Sequence, residues 1–375
     1  MNKTEQNLAD VNFIIEKINF FQSLTKTPGE LKKHDSDASF FLNLPSRRGI
    51  SIYGKEAHNR FHRMAERYLS TQKDKNDKVK GSDFTKELFS EFSTRFLEKQ
   101  NIVNEKNVSL MLAKAYKTIE RSFDSITHVI PCSVVRHENP SSFTMGPVQF
   151  FRTEKYIENN NSNFSLERER ISQSHKERCK LAIKEGYPAS KVATPRQSDE
   201  YANYLVDNSL SYLKNYDWVA EVTVNNCHHE VSKMRAKMAV EGALNILKLI
   251  IGEFHSDKMR LGNSATPPIK TASVIKNSKG HFNFSLRQDS DSNFVCDDWF
   301  EKITENYKHE LNSLNMGLQT ITEPDKSNFL SQRIFDSLKW YGEAVSELSP
   351  STKLLKYIAS IERIVGTEEK KKGLS

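Results

Sequence analysis

Two apolar stripes near the C-terminus constrain the fold more than any other feature of this sequence. From residue 331 to residue 366, apolar side chains recur at intervals of three and four, which places them on one face of a helix. Pro350 cannot continue the first helix, Ser351 is a favourable N-cap for a second, and Gly366 is a favourable stop. The first stripe consists of Ile334, Leu338, Tyr341, Val345 and Leu348, and the second of Leu355, Ile358, Ile361 and Ile364. The sequence therefore predicts an amphipathic helical hairpin.

Particular residues within this hairpin carry a family resemblance. They are Arg333 near its start, the box LKWYG from Leu338 to Gly342, the polar turn from Ser346 to Ser351, and the ending IERI from Ile361 to Ile364. The pattern resembles the opening two helices of the ApeA-like branch of the HEPN superfamily, over residues 326–375 of a chain of 375. The resemblance implies a helical bundle that dimerises and, in many members, a metal-independent endoribonuclease of bacterial antiphage defence.

The same resemblance assigns roles to single residues. Arg333, Trp340, Tyr341 and Glu362 match its scaffold positions. We expect Tyr341 to be buried, Trp340 to lie at a helix–helix interface and Glu362 to make a structural polar contact. Family members carry an Arg-x(4–6)-His motif on a later helix, so we expect the catalytic pair to lie beyond residue 375 and the chain as given to be inactive.

Three Arg-x(4–6)-His matches do occur within the chain, whereas chance yields about 1.6 matches at this composition. They are Arg170 with His175, Arg168 with His175, and Arg121 with His128. Only Arg170 and His175 are predicted to share one exposed helix, on which an Arg can hold a scissile phosphate and a His can act as acid or base. These two residues are the candidate catalytic pair of the chain as given, and chance is the alternative explanation.

The sequence predicts no metal and no cofactor. Cys227, His228, His229 and Glu230 are metal-binding residue types, but adjacent residues rarely converge on one ion. We interpret them as the start of a helix with Glu230 in its first turn. The four cysteines form no CxxC pair and indicate free thiols in a reducing cytosol.

Charge and hydropathy narrow the choice of partners. The net charge of +7 and the pI near 9.0 permit contact with RNA without requiring it. The longest apolar run, Leu244 to Ile251, contains Asn245 and Lys248 and is too short to span a membrane. We therefore predict a cytoplasmic protein that makes no membrane contact, with RNA as a candidate partner.

One predicted helix, His58 to Leu69, carries a basic face. This face either meets phosphates or is simply solvated, as surface helices often are. Its basic residues are Arg60, His62, Arg63 and Arg67.

The whole pattern predicts an α+β fold in three regions. Residues 1–120 are a helical N-terminal region, residues 121–325 a mixed α+β domain with an antiparallel sheet, and residues 326–375 the first two helices of a HEPN-like bundle. The core helix of the middle domain is predicted from residue 230 to residue 255, where Gly242 lets a neighbour approach closely. Its apolar stripe comprises Val240, Ala243, Leu244, Leu247, Ile250, Ile251 and Phe254.

Strands are predicted where β-branched and aromatic residues alternate with polar ones. Residues 126–135 and 143–151 are interpreted as a hairpin whose turn lies at residues 139–142, with Gly146-Pro147 marking a bulge or an edge. Further strands are predicted at residues 218–224, 271–275 and 282–286.

Two functional hypotheses follow from these patterns. In the first, the chain is the N-terminal sensor portion of a HEPN-type ribonuclease of antiphage defence. In the second, it is a non-catalytic binding protein or adaptor that uses the hairpin to dock onto a partner or a second copy. Under both hypotheses we expect the apolar stripes to be buried, against the preceding domain or in a twofold dimer, because large exposed apolar patches are a liability in a soluble protein.

Overall fold

The computed structural model describes residues 2–24, 40–43, 50–71, 77–135, 140–262, 270–276, 282–288, 298–326 and 328–366, and for residues 43, 50, 270–276 and 282–288 it describes the backbone only. The fold has the predicted α+β class, with a helical N-terminal region, antiparallel strands and a C-terminal helical hairpin. The chain divides into two compact units. The first comprises residues 1–126, 224–235 and 323–325, and the second comprises residues 127–223, 236–322 and 326–375.

Helices dominate the first unit. They are α1 (Lys3–Leu24), α2 (Gly54–Ser70), α3 (Gly81–Phe92) and α4 (Glu105–Glu120), accompanied by an antiparallel pair, β1 (Phe41–Asn43) and β2 (Ile50–Ile52). A π-helical turn, Ser93–Glu98, continues α3. Phe61, Phe84 and Phe92 are fully buried, and such large rings supply much of the burial energy of a helical core.

Acidic side chains hold the basic face of α2 in place. Asp10 of α1 is buried, lies 3.0 Å from Arg60 and also pairs with Arg67. Arg63 pairs with Glu56 at 2.7 Å. Because Arg60 and Arg67 neutralise a buried carboxylate, this face is neither a free phosphate site nor merely solvated.

A five-stranded sheet forms from the middle of the sequence. Its strands are β3 (Asp124–Ser133), β4 (Ser142–Met145), β5 (Val148–Arg152), β6 (Trp218–Cys227) and β7 (Arg260–Leu261). Their order in the sheet is β4-β5-β6-β3-β7, and the pairs β4–β5, β5–β6 and β3–β7 are antiparallel. β8 (Lys270–Lys276) and β9 (Phe282–Gln288) lie where strands are predicted, but they form a separate antiparallel pair and do not complete the five-stranded sheet as expected.

The predicted hairpin between residues 126–135 and 143–151 is wrong. β3 neighbours β6 and β7, and the hairpin is instead formed by β4 and β5, whose turn is Gly146-Pro147. Gly146 has φ +56°, which suits the first central position of a two-residue hairpin turn. Asn139, predicted to lie in the turn, is outside the described residues.

The remaining helices lie between and after these strands. They are α5 (Thr153–Asn159), α6 (Asn161–Lys184), α7 (Pro195–Leu213), α8 (His229–Ile251), α9 (Glu253–Ser256), α10 (Trp299–Asn306), α11 (Lys308–Thr322), α12 (Phe329–Val345) and α13 (Pro350–Val365). None of the helices in the described part of the chain combines the length and the apolarity needed to cross a membrane.

Helix α8 is the predicted core helix, with one correction. Its residues Val240, Ala243, Leu244 and Leu247 are buried. A Cβ at Gly242 would lie 3.0 Å from both Leu318 and Phe335, which confirms the predicted close approach. Phe254, however, is 79% exposed, because α8 ends before Gly252, whose φ of +88° turns the chain away from the stripe.

Candidate functional site

The polar residues that interrupt the apolar run of α8 hold the C-terminal hairpin in place. Lys248 is buried, and its Nζ donates to the Gly342 carbonyl at 3.0 Å and to Ser346 Oγ at 3.1 Å. Both acceptors lie at the C-terminal end of α12, where carbonyls lack helical partners and a cation is favourable. Burial lowers the pKa of Lys248 to about 8, against the opposing attraction of Glu241, Asp257 and Glu343. Lys248 therefore acts as a buried cap for α12.

Gly342 of the LKWYG box has a packing role. A Cβ at this position would overlap the Asn245 side-chain amide. Only glycine lets the Asn245 and Lys248 side chains reach the backbone of α12 at this point. The first apolar stripe is accordingly covered where it faces inward, since Leu338 and Val345 are buried, whereas Leu348 lies beyond the end of α12 and is exposed.

Polar groups and one pair of tyrosine rings form the contact between α12 and α13. Ser337 Oγ donates to the Ser360 carbonyl at 2.7 Å, and Ser360 Oγ donates to the Ser337 carbonyl at 2.9 Å. Both serines are buried. Lys356 adds an ion pair with Glu347 at 3.0 Å. We call the two Ser337–Ser360 hydrogen bonds the serine seam. The small serine side chains let the two helices approach closely, and both buried hydroxyl groups are hydrogen-bonded.

Three further side chains fix the orientation of α13. Arg333 Nε donates to the Arg363 carbonyl at 2.9 Å, and its Nη2 donates to the carbonyls of Ile364 and Gly366. It thereby caps the last carbonyls of α13. At the other end, Tyr357 donates to Glu253 at 2.7 Å and Lys353 pairs with the same carboxylate, whose pKa these two hydrogen bonds lower.

The scaffold residues implied by the family resemblance lie in different environments. Arg333 makes the structural contacts just described. Tyr341 is half-buried, 5.7 Å from the ring of Tyr357, and not fully buried as expected. Trp340 is 36% exposed, so no helix–helix interface within the described residues covers it. Glu362 is also exposed.

The serine seam leaves the apolar face of α13 in solvent. Leu354, Ile358, Ile361 and Val365 recur at intervals of four, three and four and are 60%, 44%, 61% and 67% exposed. We call these four residues the α13 stripe. Leu355 and Ile364, at its margins, are also exposed. The described residues of this chain leave the stripe uncovered, so the expected cover from the preceding domain is not found for the second helix.

Arg170 and His175 lie on α6 but engage different partners. Arg170 forms two hydrogen bonds of 2.7 and 2.8 Å with Glu167, and these raise the pKa of Arg170. His175 Nδ1 lies 2.9 Å from the buried Ser198 hydroxyl, and its ring stacks on Tyr201. The described geometry thus gives the two side chains separate neighbours and does not build a joint phosphate site.

The other Arg-His matches are also separated. Arg168 pairs with Asp207 at 2.7 Å. Arg121 follows α4, whereas His128 lies on β3.

Cys227 ends β6, and α8 begins at His229 with Glu230 in its first turn, as predicted. Cys227 is buried as a free thiol, and His228 Nδ1 lies 3.4 Å from Asp83. Among the residues that the structure describes, no group of three or more His, Cys, Asp or Glu side chains is placed to hold a metal ion.

The pKa of Lys248 predicts a specific pH dependence. Because its pKa is about 8 in the folded state and 10.5 in the unfolded chain, the unfolded state holds an extra proton between these values and stability rises with pH. We expect the stability advantage of the wild type over Lys248→Met to grow by about 1 kcal/mol or more between pH 8 and about pH 9.5 in urea unfolding. Lys339→Met, which removes an exposed lysine of α12, should leave the wild-type pH profile unchanged. Parallel profiles for wild type and Lys248→Met would show that the ammonium is not buried.

Comparison with known proteins adds no family assignment. No known protein family matches the chain, and searches of curated proteins and of solved structures likewise found no match. What can be said about function therefore rests on the residues and contacts described above.

Proposed function

We propose that this protein is an association module that forms a twofold dimer through the α13 stripe. The observation that carries the proposal is an exposed apolar row on a helix whose opposite face is fixed by polar contacts. The described residues leave this row uncovered, and it is stabilised when a partner covers it. Contiguous exposed apolar surface of this kind marks interaction sites in soluble proteins.

The order of the stripe favours a second copy as the partner. If two α13 helices pack antiparallel with the twofold axis between Ala359 and Ser360, Leu354 lies opposite Val365 and Ile358 opposite Ile361. The marginal residues Leu355 and Ile364 then also face each other. A twofold interface requires this self-complementarity, because every contact between two different residues occurs twice, once on each side of the axis.

The size of the stripe sets the expected affinity. The stripe and its margins amount to six side chains per copy, a smaller patch than the roughly 800 Å² per partner of a standard specific interface. We therefore expect dissociation in the micromolar range, consistent with a reversible contact. The fixed inner face of α13 favours binding, because the helix loses little conformational freedom when the dimer forms.

Charge substitutions in the stripe test the proposal. The double variant Leu354→Glu with Ile361→Glu should be monomeric at about 50–100 μM, where the wild type is mainly dimeric. Its melting temperature should remain close to that of the wild-type monomer, because both residues are exposed. The readout is light scattering combined with sedimentation velocity.

A matched control separates stripe-specific effects from general surface charge. Leu166→Glu with Leu181→Glu changes two leucines of α6 that are similarly exposed, and should leave the dimer intact. A wild type that stays monomeric over this concentration range would overturn the dimer proposal, as would a control variant that dissociates to the same extent.

A second candidate is that the dimer belongs to a HEPN-type ribonuclease of antiphage defence, in which the dimer cleft binds RNA. The two helices named by the resemblance do form a hairpin, and Arg333 and Gly342 of the matching stretch have structural roles in it.

We infer a cytoplasmic location from the free thiols Cys132, Cys179 and Cys227, which fit a reducing compartment.

RNA cleavage tests the placement of the active site. The purified 375-residue protein should leave single-stranded RNA intact in the presence of EDTA, because Arg170 and His175 engage separate partners. Gel analysis of labelled RNA after incubation gives the readout. Cleavage that is lost in His175→Ala and retained in His128→Ala would contradict this expectation and assign catalysis to α6.

A further inference from the structure

Four hydrogen-bonded side chains form a line in the first unit, remote in sequence from the hairpin. Tyr53 Oη lies 3.0 Å from His58 Nδ1, His58 Nε2 lies 3.0 Å from His62 Nε2, and His62 Nδ1 lies 3.2 Å from Thr85 Oγ1. Thr85 Oγ1 also donates to the Gly81 carbonyl at 2.8 Å. Tyr53 and Thr85 are buried, whereas both histidines are half-buried.

The acceptor of the Thr85 hydroxyl determines the tautomer of His62. The single hydroxyl proton is used on the Gly81 carbonyl, so His62 Nδ1 must carry a proton and donate it to Thr85 Oγ1. A neutral imidazole has only one N–H, which leaves His62 Nε2 with a free lone pair directed at His58. The inner nitrogens of the two rings thus point at each other, while each outer nitrogen is held by a hydroxyl oxygen.

This arrangement has the geometry of a two-histidine chelate. His58 and His62 are four residues apart on α2, the spacing at which helical histidines share one ion. An ion about 2.0–2.1 Å from each Nε2 fits between nitrogens 3.0 Å apart with an angle slightly above 90°. A metal-binding imidazole is oriented when its outer N–H donates to an oxygen, here the hydroxyl oxygen of Tyr53 or of Thr85.

We propose that His58 and His62 bind one divalent transition metal ion of the imidazole-preferring group, Zn²⁺, Ni²⁺ or Cu²⁺. In the metal-bound form both Nδ1 atoms carry a proton, and the Tyr53 hydroxyl rotates to accept from His58. The ring proton of His58, which lies between the inner nitrogens in the metal-free form, passes by exchange with solvent to His58 Nδ1, so ion binding changes the tautomer of His58 without net proton release. Water fills the remaining coordination positions.

The surroundings of the pair favour this class of ion. The rings of Phe40 and Phe89 lie 5.0 and 5.6 Å from His58 and shield one side of the pair from water. Neutral nitrogen ligands without a carboxylate suit Zn²⁺, Ni²⁺ and Cu²⁺, and disfavour Mg²⁺ and Ca²⁺. This inference does not depend on dimerisation or on RNA.

Calorimetric titration of untagged, EDTA-treated protein with NiCl₂ or ZnCl₂ tests the site. The wild type should show one saturable site per chain, which His58→Gln and His62→Gln each remove. Tyr53→Phe retains both ligands and loses only the outer partner of His58, so its affinity should fall about tenfold. His175→Gln, on α6, should bind as the wild type does.

Spectroscopy of the wild type keeps the test independent of variant folding. The electron spin-echo spectrum of bound Cu²⁺ should show coupling to two imidazole rings. Absence of saturable binding in the wild type, or binding that persists unchanged in both His58→Gln and His62→Gln, would overturn the proposal. A Cu²⁺ spectrum without imidazole coupling would do the same.

Discussion

The hairpin depends on a buried ammonium group that holds the end of one helix. Lys248 satisfies the C-terminal carbonyl and hydroxyl groups of α12, and Gly342 gives it and Asn245 access to the backbone. Burying a lysine is costly, as its lowered pKa shows, and the cost is offset only while its hydrogen bonds are made. The contact therefore specifies one position of α12 on α8, where apolar packing alone would tolerate small shifts.

The fixed position of α12 determines which face of α13 is exposed. With α12 fixed, Ser337 presents its hydroxyl to Ser360, and Arg333 caps the far end of α13. The inner face of α13 thus carries Ser360 and Tyr357, which make polar contacts, and its leucines and isoleucines are exposed. An amphipathic helix whose apolar face is directed outward is stable in a soluble protein when a partner covers that face. The packing of Lys248 is therefore linked to the proposed dimer.

The sequence predicts most elements and much less of their arrangement. Periodicity identifies α8, α12 and α13, and Gly242 signals a close contact, because these are local properties. Periodicity groups the residues of α13 that share a face, but it does not tell which face turns inward. That choice comes from Ser337, Ser360 and Lys248, whose roles depend on partners distant in sequence. The sign of this arrangement in the sequence is Lys248, a lysine isolated within the apolar run of α8.

Two other sequence predictions are wrong for a local reason, the positive φ of a glycine. Gly146 takes a positive φ, so the stretch around it forms a tight hairpin where an edge or bulge was expected. Gly252 ends α8 and removes Phe254 from the stripe that the sequence alone would extend. Of the histidine pair of α2, only His62 belongs to the predicted basic face, and the role of the pair depends on Thr85, which lies on another helix.

Site-specific cross-linking gives the most direct test of the antiparallel α13 dimer. In this arrangement Ile358 of one copy lies beside Ile361 of the other, whereas the two Leu354 residues are about 16 Å apart along the helix axis. A mixture of Ile358→Cys and Ile361→Cys proteins should form a heterodimeric disulfide efficiently, and Leu354→Cys alone should not cross-link above the background of the parent protein. Efficient cross-linking of Leu354→Cys to itself, without the mixed product, would contradict the account.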